Sequence, residues 1–208
     1  AEQGVIFTDL RTALREHEAL VREHLFSTVN ATQTKYTALN SALWTNGTFV
    51  YVPKNVEVEL PLGTFTTADR GGIGAGRTLI VVDVNAKATF IDEFTSEPFD
   101  ERLFYDAATE IVLKDGAKLR YVSLQNWSRN VVHLHKQRAD AAGTGVDEAS
   151  GRGLGSAVSV ATARSISAPV GQSTGGAPAA GGALAGGLGW AGLQPANATL
   201  AARSRVAK

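Results

Sequence analysis

Two histidines, His133 and His135, stand two apart in the run VVHLHKQRA. If that run is a strand, both imidazoles leave the same face. Two imidazoles on one face can grip a transition metal once a third ligand joins them. The chain contains no cysteine, so the third ligand would have to be a carboxylate or a partner's thiolate. A stacked or hydrogen-bonded pair is the simpler expectation, which leaves His133 and His135 as weak metal candidates only. His17 and His24 lie on the apolar seam of a helical stretch, about 10 Å apart along the axis, and read as packed histidines. Two acidic pairs, Asp92 with Glu93 and Asp100 with Glu101, have the side chains that acid–base cleavage of a glycan needs. Both fall in polar sequence that reads as loop, where carboxylates are solvated.

The stretch DRGGIGAGRTLIVVD, residues 69–83, packs four glycines into six positions. A phosphate-cradling loop follows a strand and opens a helix, so that helix N-terminal amides point at the phosphates. Here the glycines lead into a strand instead, and no Gly-Lys-Ser/Thr follows. Nucleotide binding is set aside, and the segment is expected to be a flexible loop.

Composition divides the chain. From Ala141 onward, 39 of 68 residues are Ala, Gly or Ser, whereas every Phe and Tyr precedes that point. Such a tail cannot bury enough apolar area to offset the entropy of ordering it. Formal charge is zero, with 20 basic and 20 acidic side chains, so nothing concentrates a polyanion or an anionic membrane at the surface. No apolar run approaches the ~18 residues of a membrane span, and AEQGVIF lacks the features of a signal peptide. These features predict a soluble, cytoplasmic protein. The absence of methionine suggests an internal piece of a longer chain.

The elements that must carry these residues follow from periodicity. FTDLRTALREHEALVREHLF places Leu10, Ala13, Leu14, Leu20 and Val21 at helical spacing and predicts one amphipathic helix capped near Thr8 or Asp9. KYTALNSALW predicts a second helix with Tyr36, Leu39, Ala42 and Leu43 on its apolar face, ending at Asn46-Gly47. From Thr48 residues alternate in twos. Three segments, FVYVPKNVEVEL, LIVVDVNAKATFI and EIVLKDGAKLRYV, each read as strand, corner, strand, with Asn55, Asn85 and Gly116 at the corner. Those types tolerate positive φ. Val56, Ala86 and Ala117 follow them at near-constant spacing, which suggests a repeat. Stacked strand–corner–strand units seal one another's edges, so a β-solenoid is favoured over a sandwich of hairpins.

ALNSALWTNGTFVYVPKNVEVELPL, RTLIVVD and LRYVSLQNWSRNVVHLHKQRA, spread over residues 4–139, closely resemble the SufB/SufD family of the SUF iron–sulfur cluster assembly system. The resemblance implies a right-handed parallel β-helix core, preceded by a short α-helical segment. It implies a non-catalytic scaffold that works with a SufB-like paralogue and a SufC-like ATPase. The nascent iron–sulfur cluster then belongs to the assembled complex, with no cofactor assigned to this chain. Where SufB proteins carry a cysteine, this chain has Phe94 in IDEFTSEP, which points to SufD. Gln125-Asn126-Trp127 is the strongest local match and is expected to be structural, the amides bonding backbone edges and the indole filling the interior. The expected organisation is an N-terminal helical segment over 1–47, a β-helix core over 48–139, and a Gly/Ala-rich tail over 140–208, disordered or frameshift-derived. Two other readings are a β-helical carbohydrate-active enzyme, such as a polysaccharide lyase, and a purely structural solenoid. Neither nucleic acid nor membrane is an expected partner.

Overall fold

The structure is a computed structural model that describes residues 4–142 and the backbone of residues 157–164. The order of elements is β1 (Ile6–Asp9), α1 (Leu10–Glu16), α2 (Glu18–His24), α3 (Lys35–Leu43), β2 (Asn46–Val52), β3 (Leu62–Ala68), β4 (Gly72–Val82), β5 (Lys87–Ser96), β6 (Leu103–Leu113), β7 (Lys118–Asn126), β8 (Val131–Ala141) and β9 (Ala157–Arg164). From β2 onward successive strands alternate between two sheets, ordered β1-β2-β4-β6-β8 and β3-β5-β7-β9. Every pairing after β1–β2 is parallel. Hairpins would pair antiparallel, so the arrangement is the expected β-solenoid, of about three turns.

The corners explain the repeat. Asn55, Asn85 and Gly116 all have positive φ, at 63°, 56° and 70°. Asn85 Nδ2 donates to Asn55 Oδ1 at 3.4 Å, one coil stacked on the last. The third position is glycine because a Cβ there would lie 2.2 Å from Asn85 Oδ1. After each corner a small residue turns inward, and Ala86 and Ala117 are fully buried. Register then stacks Val50, Ile80 and Ile111 in one inner row and Val52, Val82 and Leu113 in another. Phe90 and Tyr121 face them from the second sheet. Full burial of one such side chain is worth ~1.5–3 kcal/mol, which is what seals the coils.

Helices α1 and α2 cover the outer face of the first sheet, packing Leu10, Ala13 and Val21 on Phe49, Leu79, Val81 and Val112. The expected single helix is in fact broken. Residues 6–9 form a strand on β2, Asp9 caps α1, and the chain kinks at His17 (φ −133°, ψ 37°) before α2. Periodicity reports faces rather than continuity, and Leu10, Ala13 and Val21 keep their common face through the kink. His24 is buried and His17 half-buried.

Three other expectations are corrected. Helix α3 ends at Leu43, with Trp44 extended, and Asn46-Gly47 opens β2 rather than capping a helix. Gly47 is needed because a Cβ there would sit 2.0 Å from Arg77 O. The buried face of α3 is polar: Thr37 and Asn40 are covered while Tyr36 and Leu43 are exposed. The surface beneath it supplies polar partners, since Asn40 Nδ2 donates to Gly76 O and Asp106 O, both at 3.0 Å. Finally, residues 72–76 of the glycine run are not a flexible loop but the start of β4. Tyr105 of the neighbouring strand lies over Gly74 and Gly76, where a Cβ would come within 2.7 Å of ring Cδ2 and 2.4 Å of the hydroxyl.

Strand stacking continues past residue 139. β8 reaches Ala141, and Ala157–Arg164 pair in parallel with β7. The remaining tail residues, 143–156 and 165–208, lie outside the described residues. Among the described residues no helix is long and apolar enough to cross a membrane.

Candidate functional site

The interior of the solenoid is layered. Beside the aliphatic core runs a polar stratum, in which Thr48, Thr78, Thr109 and Gln137 form one register row on the first sheet. Thr64, Asp92 and Ser123 form the matching row on the second. Asp92, expected in a solvated loop, is 1% exposed and sits in β5. Its alternation with Ala88, Phe90 and Phe94 carries it inward. Its carboxylate accepts from Thr64 Oγ1 and Tyr121 OH, each at 2.8 Å. Burial pushes its pKa up to about 6, and the two hydroxyl donors pull the other way. Burial likewise pushes the Tyr105 hydroxyl up to about 12. A cavity of about 20 Å³ opens here, lined by residues that include Asn46, Thr48, Thr64, Thr66, Thr78 and Asp92.

Beyond the polar stratum lies an aromatic one, and it gathers the sequence candidates. His133 and His135 share the inner face of β8, with ring centroids 5.4 Å apart. Gln137 Nε2 donates to His135 Nδ1 at 3.2 Å, so the proton is on Nε2, which donates to Thr109 Oγ1 at 2.8 Å. Burial lowers the His135 pKa to about 3, and the ring is neutral. Both of its nitrogens are engaged, so metal ligation would break one of these bonds. His133 packs on Phe94 (4.8 Å), Trp127 (5.3 Å) and Tyr105 (5.7 Å). Among the described residues no three His, Cys, Asp or Glu side chains are grouped to hold a metal ion. Trp127 turns into the same cluster, 6.0 Å from Phe94 and 5.7 Å from Tyr105. Gln125 pairs in register with Phe94, and the Asn126 carbonyl accepts from Thr95 Oγ1 at 3.2 Å. The acidic pairs do not converge: Asp92 and its neighbour Glu93 take opposite faces of β5, and Asp100 and Glu101 are exposed between strands.

Comparison with known proteins settles the family. The model described as SUF system FeS cluster assembly, SufBD core domain, matches residues 65–171, and that of the SufBD protein N-terminal region matches residues 1–63. The chain belongs to the SufBD family. It is 39% identical over 138 residues to an iron-sulfur cluster assembly SufBD family protein of Staphylococcus epidermidis, covering 66% of this chain and 30% of that protein. It is 39% identical over 137 residues to the iron-sulfur cluster assembly protein SufB of Bacillus subtilis, covering 65% and 30%. A SufBD family protein of Staphylococcus aureus is 37% identical over 138 residues, with 66% and 30% covered. The chain thus spans about 30% of the length of these relatives.

Sequence reasoning missed the bond between the two SufBD regions. Arg77 and Glu110 form an ion pair at 2.9 Å, both side chains wholly buried, on the outer face of the first sheet. Glu110 accepts from the Phe26, Thr28 and Val29 amides at 3.0, 3.0 and 3.1 Å. Arg77 donates to Asn40 Oδ1 at 2.7 Å and to Val29 O, and lies 4.2 Å from the Phe26 ring centroid. The SufBD N-terminal region is thereby clamped to the core. The only signal in sequence is phase: Arg77 shares an outer face with Leu79 and Val81, which helices cover.

Proposed function

We propose that this SufBD chain is a non-catalytic scaffold subunit of SufD type. It works in the cytoplasm with a SufB-like paralogue and a SufC-like ATPase, and the nascent cluster forms in their complex. The observation that carries this reading is Phe94. It stands where the resemblance places the SufB cysteine, and its ring fills the lumen between Tyr105, Trp127, His133 and His135. A phenyl ring there neither accepts sulfur nor binds iron. Against the lyase reading, Asp92 is inside the solenoid and Glu93 outside, and Asp100 and Glu101 are exposed between strands. Co-purification tests the proposal. A full-length version of this protein is expected to retain SufB and SufC from the same organism; failure to retain either overturns the reading.

A further inference from the structure

The carboxylate of Asp92 presents an electrostatic problem that its protein neighbours solve only in part. It is buried, it is held by two hydroxyl donors, and among the described residues no cationic side chain acts on it. An isolated buried anion is expensive, and proteins answer by protonating it or by placing a cation beside it. The protein elsewhere shows what full compensation looks like, since Glu110 has a guanidinium and three amides.

The space beside Asp92 is suited to a cation. The 20 Å³ cavity has room for a single occupant the size of a water molecule. Thr48, Thr64, Thr66 and Thr78 line it, each carrying a hydroxyl. Asn46 Oδ1, also at this cavity, is buried and accepts no hydrogen bond among the described residues. Gly76 clears the approach: a Cβ there would stand 3.1 Å from Asn46 Oδ1 and 2.4 Å from Tyr105 OH, so these oxygens converge over bare backbone. The arrangement is one carboxylate, one buried amide oxygen beside the Tyr105 hydroxyl, and four threonines around a water-sized void that Phe94, Ala107 and Ala108 also line.

We propose that the solenoid lumen binds one small monovalent cation of the sodium class in this cavity, ligated by Asp92, Asn46 Oδ1 and threonine hydroxyls. Oxygen-only ligation selects a hard cation. One carboxylate balances one positive charge, and a divalent ion would leave net charge in a medium of low dielectric constant. The void excludes larger organic cations. The site is independent of partner subunits, because every ligand comes from β2 to β5 of this chain.

The test is thermal unfolding of the full chain near neutral pH at constant ionic strength, with tetramethylammonium chloride replaced stepwise by sodium chloride. The wild-type Tm is expected to rise with sodium, because a ligand bound only by the folded state stabilises it by mass action. Asp92→Asn is expected to abolish the rise. Thr48→Val removes one hydroxyl at nearly constant shape and is expected to raise the half-saturating sodium concentration about tenfold. Broadening of the sodium NMR signal by the wild-type protein, reversed by lithium, reads binding without any variant having to fold. A Tm indifferent to sodium, an equal rise in Asp92→Asn, or the absence of broadening would each overturn the site.

Discussion

The outer face of the first sheet and the lumen bury charge in opposite ways. On the outer face Glu110 meets a guanidinium and three backbone amides, and the result joins the N-terminal region to the core. In the lumen Asp92 meets, among the described residues, two hydroxyls, and burial pushes its pKa up to about 6. Full compensation makes a fixed joint. Partial compensation leaves a group whose state answers to protons and ions. Both occur within one turn of the solenoid, since Arg77 is on β4 and Asp92 on β5, so the difference lies in the partners each carboxylate finds, not in how deeply it sits.

The largest expected effect breaks the joint. Glu110→Ala leaves Arg77 buried without its counter-charge and orphans three amides, and it should cost about 3–5 kcal/mol by urea denaturation. Arg77→Met with Glu110→Leu removes both charges and is expected to recover part of that loss. A double variant as unstable as Glu110→Ala would show that the N-terminal region needs the charges themselves, not the packing around them.

The second effect is pH dependence from the lumen. Asp92 titrates from an ordinary value of 3.8 to about 6 in the folded chain, so the folded state holds the proton more tightly. Its contribution to stability is therefore full below about pH 4 and is lost as pH rises towards 6. A shift of that size corresponds to about 3 kcal/mol. Asp106, on the outer face under α3, is also raised to about 6 by burial, against the pull of Arg77, and adds to the same slope. His135, lowered to about 3 by burial, gives the opposite slope over this range. In sodium-free buffer each of Asp92→Asn and Asp106→Asn should therefore make stability fall more, relative to wild type, on going from pH 6 to pH 4. An unchanged slope in Asp92→Asn would place the compensation elsewhere.

These regions also differ in how far sequence reveals them. The solenoid was legible because its signals are local: alternation in twos, a positive-φ residue at each corner, and near-constant spacing between Val56, Ala86 and Ala117. The inward face of His133 and His135 followed from the same alternation. Asp92 was legible in principle, being in phase with Phe90 and Phe94, but the polar residues around it outweighed that phase. Arg77 and Glu110 were not legible. Their burial depends on the N-terminal chain crossing the outer face of strands that follow it, and nothing near either residue encodes that crossing. The polar face of α3 fails for the same reason: Asn40 is buried by the partners it finds on β4 and β6, which helical periodicity cannot anticipate.

The smallest effect separates a rigid lumen from an adaptable one. Gly74 and Gly76 both lie beneath Tyr105, but against different atoms: a Cβ on Gly74 meets ring Cδ2 at 2.7 Å, and one on Gly76 meets the hydroxyl at 2.4 Å. The ring is held among Phe94, Trp127 and His133 and has little room to retreat. Gly76→Ala should therefore cost about 1–3 kcal/mol as overpacking. Adding Tyr105→Phe deletes the offending oxygen and should restore most of that cost, while the same addition to Gly74→Ala should restore little, because Cδ2 remains. Selective rescue, read as a coupling energy in two double-mutant cycles, would mark the lumen as close-packed over β4. If Tyr105→Phe rescued both glycine variants equally, the ring would be shifting as a unit, and the glycines would be there for chain freedom rather than for the approach of Tyr105.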